Sequence, residues 1–282
     1  MFAIKGGGAM LWIYLLLSAA ADAAITYFGS LISSPADIWK PILLFVALFI
    51  GFVLLHFIVF LLFILTADTK KELKTIHNPY RGFMIASLKL FFKLENVKVH
   101  LEGADKIPDD GKFLFLSNHI SMYDPIIAIT YLADKNIGFV SKKENIAIPF
   151  AGKYMLKSGC VGLDRENARE AVKAINQAAD YITDGVCAMG IYPEGMVNKS
   201  AKGLLPFRNG AFKIAKKAKV PLVVSVISNT RQINENILRR RTHIYLKIVD
   251  VIPYGEIADM KTNEIGEKVR EIMLSGLEED CK

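Results

Sequence analysis

The chain has 282 residues, 52% of them hydrophobic and 22% charged, with a formal net charge of +7. That apolar share exceeds the ~45–50% of an ordinary soluble domain, which excludes disorder and predicts one soluble domain joined to a greasy segment. Cys160, Cys187 and Cys281 are too few for a disulfide framework and none pair at a metal-ligand spacing, so the compartment reads as reducing and no metal is expected.

Residues 10–32 (MLWIYLLLSAAADAAITYFGSLI) form a first apolar run, Ala-rich and interrupted by Asp22. An acidic residue there costs ~2.5–3.5 kcal/mol on membrane-insertion scales. Lys5 ahead of the run and the small residues at 19–24 also fit a secretory leader, but a stronger apolar run follows at once, so an uncleaved helix is expected. Residues 41–66 (PILLFVALFIGFVLLHFIVFLLFILT) carry no formal charge. As a helix this segment is roughly 39 Å long, enough to cross about 30 Å of hydrocarbon with tilt. The two runs predict a hydrophobic helical hairpin closed at Ser33-Ser34-Pro35, spanning the bilayer or dipping into one leaflet, with residues 1–69 as anchor and 70–282 as the second domain.

Charge divides at the same point. Residues 1–69 hold two lysines against three aspartates, whereas the rest holds 33 basic against 25 acidic residues. Lys70, Lys71, Lys74 and Arg81 follow the second run directly, and by the positive-inside rule this places the larger domain on the cytoplasmic face of the inner or cell membrane. Clusters at Lys213, Lys216, Lys217 and Lys219 and at Arg239, Arg240 and Arg241 suit an anionic membrane surface or an acidic carrier protein, and the lysines equally suit a solvated helix face. No nucleic-acid-binding motif accompanies the charge, so no nucleic acid partner is expected.

Beyond the anchor, residues 81–94 (RGFMIASLKLFFKL) mix large apolar residues with Lys89 and Lys93 and predict an interfacial amphipathic helix. Strands are then predicted at 97–101, 113–116, 137–140, 160–163, 186–191, 222–227 and 242–251. Helices are predicted at 125–132, 148–156, 168–182, 209–218 and 261–277, the third from Val172, Ile175, Ala179 and Ile182 repeating every three or four residues. Such alternation implies an α/β domain with a mixed, largely parallel sheet flanked by helices.

The chain lacks a G-x-S-x-G elbow, a P-loop, a G-x-G-x-x-G loop and an H-E-x-x-H helix. Three other strand-to-turn junctions carry polar residues. In FLFLSNHISMYDP, His119 follows an apolar strand and Asp124 stands five residues on; a His beside a carboxylate has one nitrogen fixed as donor and the other free to take a proton. Asp124-Pro125 fits a helix cap equally well. Tyr192-Pro193-Glu194-Gly195 ends a second strand and also reads as plain turn punctuation. Gly159 to Asn167, with Arg165, leads into a helix that Asp164 or Asn167 would cap.

Together these segments resemble the glycerolipid acyltransferase superfamily, which contains the 1-acylglycerol-3-phosphate acyltransferases. Its N-H-x-S-x-x-D block (an H-x4-D motif) matches at Asn118, His119, Ser121 and Asp124. The Arg block matches at Gly159 and Arg165, and F/Y-P-E-G at Tyr192 to Gly195. The V-P-x-V-P block matches in part at Val220-Pro221-Leu222-Val223, with Val224 in place of the second Pro, and Phe207-Arg208-Asn209-Gly210-Ala211 resembles the connector.

The resemblance covers roughly residues 80–250. It implies a membrane-bound enzyme that moves a fatty acyl group from a thioester, acyl-CoA or acyl-carrier protein, to a lysophospholipid hydroxyl, with no other cofactor. His119 oriented by Asp124 would deprotonate that hydroxyl, with no acyl-enzyme. Arg165 would hold the acceptor phosphate, Glu194 and Gly195 would shape the acceptor site, and Asn118 and Ser121 complete the substrate-binding set. One departure weakens lysophosphatidate as the acceptor: Met196 and Val197 stand where the family often carries T/G-R, leaving Lys199 or Arg208 to replace the missing Arg. Two alternatives stand beside it, transfer to another lysophospholipid or lysoaminolipid, and a lipid-binding protein without catalysis.

Overall fold

The computed structural model describes residues 6–71, 73–200, 203–237 and 239–279; Lys5 and Cys281 lie outside the described residues. Helix α1 (Gly6–Phe28) and helix α2 (Trp39–Phe63) form the expected hairpin. Its closing turn is held by Asp37, whose carboxylate accepts the N–H groups of Ser33 and Ser34 at 3.0 Å and pairs with Lys40 at 2.7 Å. Both helices are long and apolar enough to cross a membrane, and they leave Trp12, Leu16, Leu43, Leu54 and Leu62 exposed. Helical backbone needs no outside partner in lipid, and so broad an apolar surface is at home there; this is the membrane-associated part of the chain.

Helix α3 (Pro79–Leu94) starts at Asn78, whose side chain accepts the Arg81 N–H, with Pro79 in the first turn. It is not the surface-lying helix its sequence suggests. It packs against α1 and α2 and also against the α/β domain, burying Met84, Ala86, Ser87, Leu90 and Phe92. A polar chain crosses the three helices: the Tyr14 hydroxyl lies 2.8 Å from His56 Nδ1, and His56 Nε2 lies 3.0 Å from Ser87 Oγ. Arg81 is also not the surface charge expected of it, being buried with its guanidinium donating to the carbonyls of Ile137 and Ser158. Packing runs across residue 69, since Ile64 and Ala67 share a core with Phe113 and Phe115.

The α/β domain follows as β1 (Val97–Glu102), β2 (Leu114–Leu116), α4 (Tyr123–Tyr131), β3 (Ile137–Lys142), α5 (Lys143–Ile146), α6 (Ala151–Lys157), β4 (Val161–Leu163), α7 (Ala168–Thr183), β5 (Ala188–Ile191), α8 (Lys213–Ala218), β6 (Leu222–Ser228), α9 (Gln232–Asn236), β7 (Thr242–Ile252), α10 (Tyr254–Ile257) and α11 (Thr262–Glu279). The sheet order is β1-β7-β6-β2-β5-β3-β4, and every neighbouring pair is parallel except β6 with β7. Strand β2 is central and buried on both faces, which is why it reads as an unbroken apolar run. Leu114 and Leu116 enter one core with α7, α8 and α11, while Phe115 enters the other with α3 and α4.

Two local expectations change. Residues 148–156 are not one helix, because Pro149 cannot continue α5 and Phe150 takes φ +61°, so α6 starts afresh at Ala151. In α7 the buried arc is Ala174, Ala178, Ala179 and Ile182. At ~100° per residue Val172 lies about a right angle from its centre and is exposed.

Strands β6, β2, β5, β3 and β4 run the same way, so their carboxyl ends share one edge of the sheet, where open α/β sheets form ligand crevices. Phe115, fully buried under that edge, fills the core between sheet and anchor-side helices. Phe115→Ala should cost about 3–5 kcal/mol in denaturant unfolding of the detergent-solubilised protein; a loss below ~1 kcal/mol would contradict this packing.

Candidate active site

The turn after β2 carries His119 and Asp124. Asp124 sits inside the first turn of α4, not at its cap, and its carboxylate points back at the turn. One oxygen, Oδ2, accepts His119 Nδ1–H at 2.9 Å and the N–H groups of Ile120 and Ser121 at 2.7 and 2.8 Å. The other accepts the hydroxyl of Thr230, which follows β6. The carboxylate is fully buried while the His119 side chain is 17% exposed. With Nδ1 donating inward, Nε2 is the nitrogen left to face outward, and it has no protein partner among the described residues. The tautomer is fixed by the carboxylate, which is the arrangement that general-base chemistry requires.

The turn after β5 holds this imidazole in place. Tyr192 stacks on His119 with ring centroids 4.1 Å apart and 18° between planes, and it also stacks on Phe139 at 5.5 Å. Burial, with the Asp124 charge nearby, pushes the Tyr192 phenol well above its ordinary pKa and keeps it neutral. Glu194 Oε1 accepts the His119 backbone N–H at 2.7 Å, and Oε2 accepts that of Leu205 at 2.8 Å. The Asn198 N–H donates to the His119 carbonyl at 2.6 Å. Arg231 closes the arrangement: its guanidinium donates to the carbonyl of Ile120 at 3.0 Å, to that of Ser200 at 3.0 Å, and to that of Asn198. One cation thus ties the His119 turn to the Glu194 loop through three backbone oxygens.

A second, positive region adjoins it. Gly195 has φ +75°, and the Arg208 side chain lies where a Cβ on Gly195 would meet it at 3.2 Å. Arg165, in the turn after β4, has its pKa lowered by burial and then by the charge of Arg208. Two guanidiniums from different loops are therefore close enough to feel each other's charge, Arg208 lying against the Glu194 turn, and neither makes an ion pair among the described residues. Lys199 is exposed, as are Arg165 and Arg208. On the anchor side, an apolar cleft of about 220 Å³ lies between Phe57, Phe60, Phe91, Phe92, Tyr123 and Ile126, one residue from Asp124.

The remaining expected residues are bound into the turns. The Asn118 amide is taken up at both ends, donating to the Ile227 carbonyl at 2.9 Å and accepting its N–H at 2.7 Å, so it joins β2 to β6. Glu194 is buried with both oxygens engaged, and Ser121 is buried with its hydroxyl accepting the Tyr123 N–H; both shape the turns. Thr230, Arg231 and Asn198 were not anticipated. The one signal for Thr230 and Arg231 is position, since Asn229-Thr230-Arg231 follows an apolar strand just as the other site turns do. Among the described residues no group of three or more His, Cys, Asp or Glu is arranged to hold a metal.

Known proteins resemble the chain in sequence and in fold. Residues 98–228 match the family model described as Acyltransferase. More particularly, the chain is 29% identical over 196 residues to the 1-acyl-sn-glycerol-3-phosphate acyltransferase of Saccharomyces cerevisiae, across 68% of this chain and 63% of that one. It is 37% identical over 141 residues to the protein of that name from Haemophilus influenzae (48% and 58%) and 28% identical over 187 residues to that of Escherichia coli (66% and 73%). The chain thus spans about three-fifths of the length of the yeast and Haemophilus relatives. The crystal structure of the 1-acyl-sn-glycerophosphate (LPA) acyltransferase PlsC from Thermotoga maritima shares the fold over 95% of both chains, with a TM-score of 0.57 at 22% identity.

The described cysteines do not supply a nucleophile. Burial pushes the Cys160 thiol up to about 11 and the Cys187 thiol up to about 12. Both are therefore un-ionised at pH 8, and in a Cys281→Ser background the folded protein should take up no iodoacetamide until it is denatured. Rapid alkylation of either residue in the native state, read by mass spectrometry, would contradict their burial.

Proposed function

We propose that the protein transfers a fatty acyl group from an acyl thioester to the free hydroxyl of a lysophospholipid, and that this acceptor is 1-acylglycerol-3-phosphate, the product phosphatidic acid. The observation that carries the reading is the His119–Asp124 pair, a base with one nitrogen locked to a buried carboxylate and the other open to solvent. His119 Nε2 takes the acceptor hydroxyl proton as the oxygen attacks the thioester carbonyl. The ester C–O bond forms, the C–S bond breaks, and the departing thiolate takes the proton back from the imidazolium. Direct attack suits a site whose described thiols are buried and un-ionised. The donor is acyl-CoA or acyl-carrier protein, and no further cofactor or metal takes part.

Arg165 and Arg208 bind the acceptor phosphate, for which paired guanidiniums supply matched charge and forked donors. Their convergence favours a phosphate-bearing acceptor and makes Arg208 the replacement for the Arg missing after Gly195. The apolar cleft beside Tyr123 offers room for an acyl chain next to the base. The hairpin keeps the site at the lipid surface where the acceptor resides, and Lys70, Lys71 and Lys74 favour the cytoplasmic face.

Purified protein given one thioester donor and a panel of lyso-acceptors should acylate lysophosphatidate fastest. His119→Ala should lower that rate by about 10²–10⁴-fold. Acylation at the wild-type rate by the variant would rule out this mechanism, and preference for a phosphate-free or amine acceptor would rule out this substrate.

Arg231 acts through other groups, as a positioning residue. Arg231→Ala should lower kcat by on the order of 10²-fold while leaving the acceptor KM near wild type, because it shifts the base and not the phosphate site. A rise in KM with unchanged kcat would instead mark it as a substrate ligand.

A further inference from the structure

Five consecutive apolar residues of the α/β domain, Ala147-Ile148-Pro149-Phe150-Ala151, are all exposed, Ile148 by 46% and Phe150 by 38%. Single exposed apolar side chains are ordinary on any surface, whereas a contiguous apolar protrusion calls for a partner.

The loop is built as a rigid turn. Phe150 holds a left-handed backbone, which a bulky residue adopts only where its surroundings impose it. The Ala151 N–H donates to the Pro149 carbonyl at 2.7 Å and the Gly152 N–H to that of Ile148 at 2.8 Å. Gly152 lies so close to Ile146 that any Cβ there would strike the Ile146 carbonyl. The chain closes on itself and leaves Ile148 and Phe150 outside.

Its place along the anchor follows from α6. Tyr154 stacks on Phe60 with centroids 4.4 Å apart and donates to the Phe60 carbonyl at 2.6 Å, while Lys157 Nζ donates to the carbonyl of Asp68. These contacts order α6 along α2. Lys157 lies toward the end where the chain leaves the apolar helix, and Ala151 lies toward the helix body. The loop therefore continues the apolar surface of the anchor, with Lys142 and Lys143 exposed before it, paired with Glu144 and Asp164, and Lys153 half-buried after it.

We propose that residues 147–151 form a second membrane-inserted element, a wedge that carries Ile148 and Phe150 into the hydrocarbon edge of the bilayer while the flanking lysines meet anionic headgroups. The proposal rests on reading α1 and α2 as the membrane anchor. The hairpin and the domain packed on it could tilt together in the bilayer; a second contact to one side fixes the tilt at which the His119 edge meets the lipid surface. Insertion of this kind follows from buried apolar area joined to electrostatic attraction.

Trp12 and Trp39, the two tryptophans of the chain, both lie in the anchor, so intrinsic fluorescence gives a direct test. Full-length protein carrying Trp12→Phe, Trp39→Phe and Phe150→Trp is placed in phosphatidylcholine–phosphatidylglycerol vesicles, with or without bromine on the acyl chains. The indole at position 150 should emit in the blue, lose at least about half its emission to bromolipid, and resist aqueous iodide. Val172→Trp in the same background, on α7 across the sheet, should be quenched by iodide alone. If the wild-type tryptophans are quenched by bromolipid and the indole at 150 is not, the wedge is overturned while the anchor stands. If none is quenched by bromolipid, both are overturned.

Discussion

The buried carboxylate of Asp124 is the constraint around which the site is arranged. Taking a charge out of water costs several kcal/mol unless hydrogen bonds replace the lost solvent. Here four donors do so: an imidazole, two turn amides and the Thr230 hydroxyl. The amides force the chain from His119 to Asp124 into one tight shape, and the hydroxyl brings the exit of β6 against it. Once that shape is set, the imidazole has a single orientation, and Tyr192, Glu194, Asn198 and Arg231 each bind a different part of the same turn. Charge-assisted bonds of this kind join three loops that share no sequence neighbourhood.

Sheet topology makes those loops neighbours. With β6, β2, β5, β3 and β4 parallel, the turns bearing Thr230, His119, Glu194 and Arg165 leave from the same edge. Helix α3 then matters as the piece that packs both ways, against the hairpin and against the domain. It carries the apolar cleft at Phe91 and Phe92 up to Tyr123. A lipid-facing anchor and a polar base thus meet within one short stretch of structure, which the proposed reaction needs because one substrate is amphipathic and the chemistry is not.

Much of the fold was legible from the chain. Continuous apolar strands flanked by amphipathic helices carry their own periodicity, and a 26-residue uncharged run has few fates. Misreadings arose where a neighbour decides the outcome. Val172 fits a helical repeat, yet the sheet touches a different arc of α7. Pro149 within an apolar stretch looked like the start of a helix and is a break before one. Residues 81–94 have the composition of a surface helix, but both of their faces are covered, and Arg81 is buried and donates to two carbonyls far away in sequence.

The site divides in the same way. Sequence by itself determined which chemical groups are present and in what order: an apolar anchor, a His and an Asp five residues apart, a Pro-Glu-Gly turn and an Arg-bearing turn, because local spacing and solvation preference are properties of the chain. Only tertiary structure decided what each group does. Asn118 and Glu194 proved to be struts because their partners, Ile227 and Leu205, come from elsewhere; Thr230 and Arg231 became essential to the geometry for the same reason; and Arg208 came to lie beside Arg165 over a glycine that leaves it room. A hydrogen bond or a convergence of charge depends on distance in space, and distance is set when the strands pair.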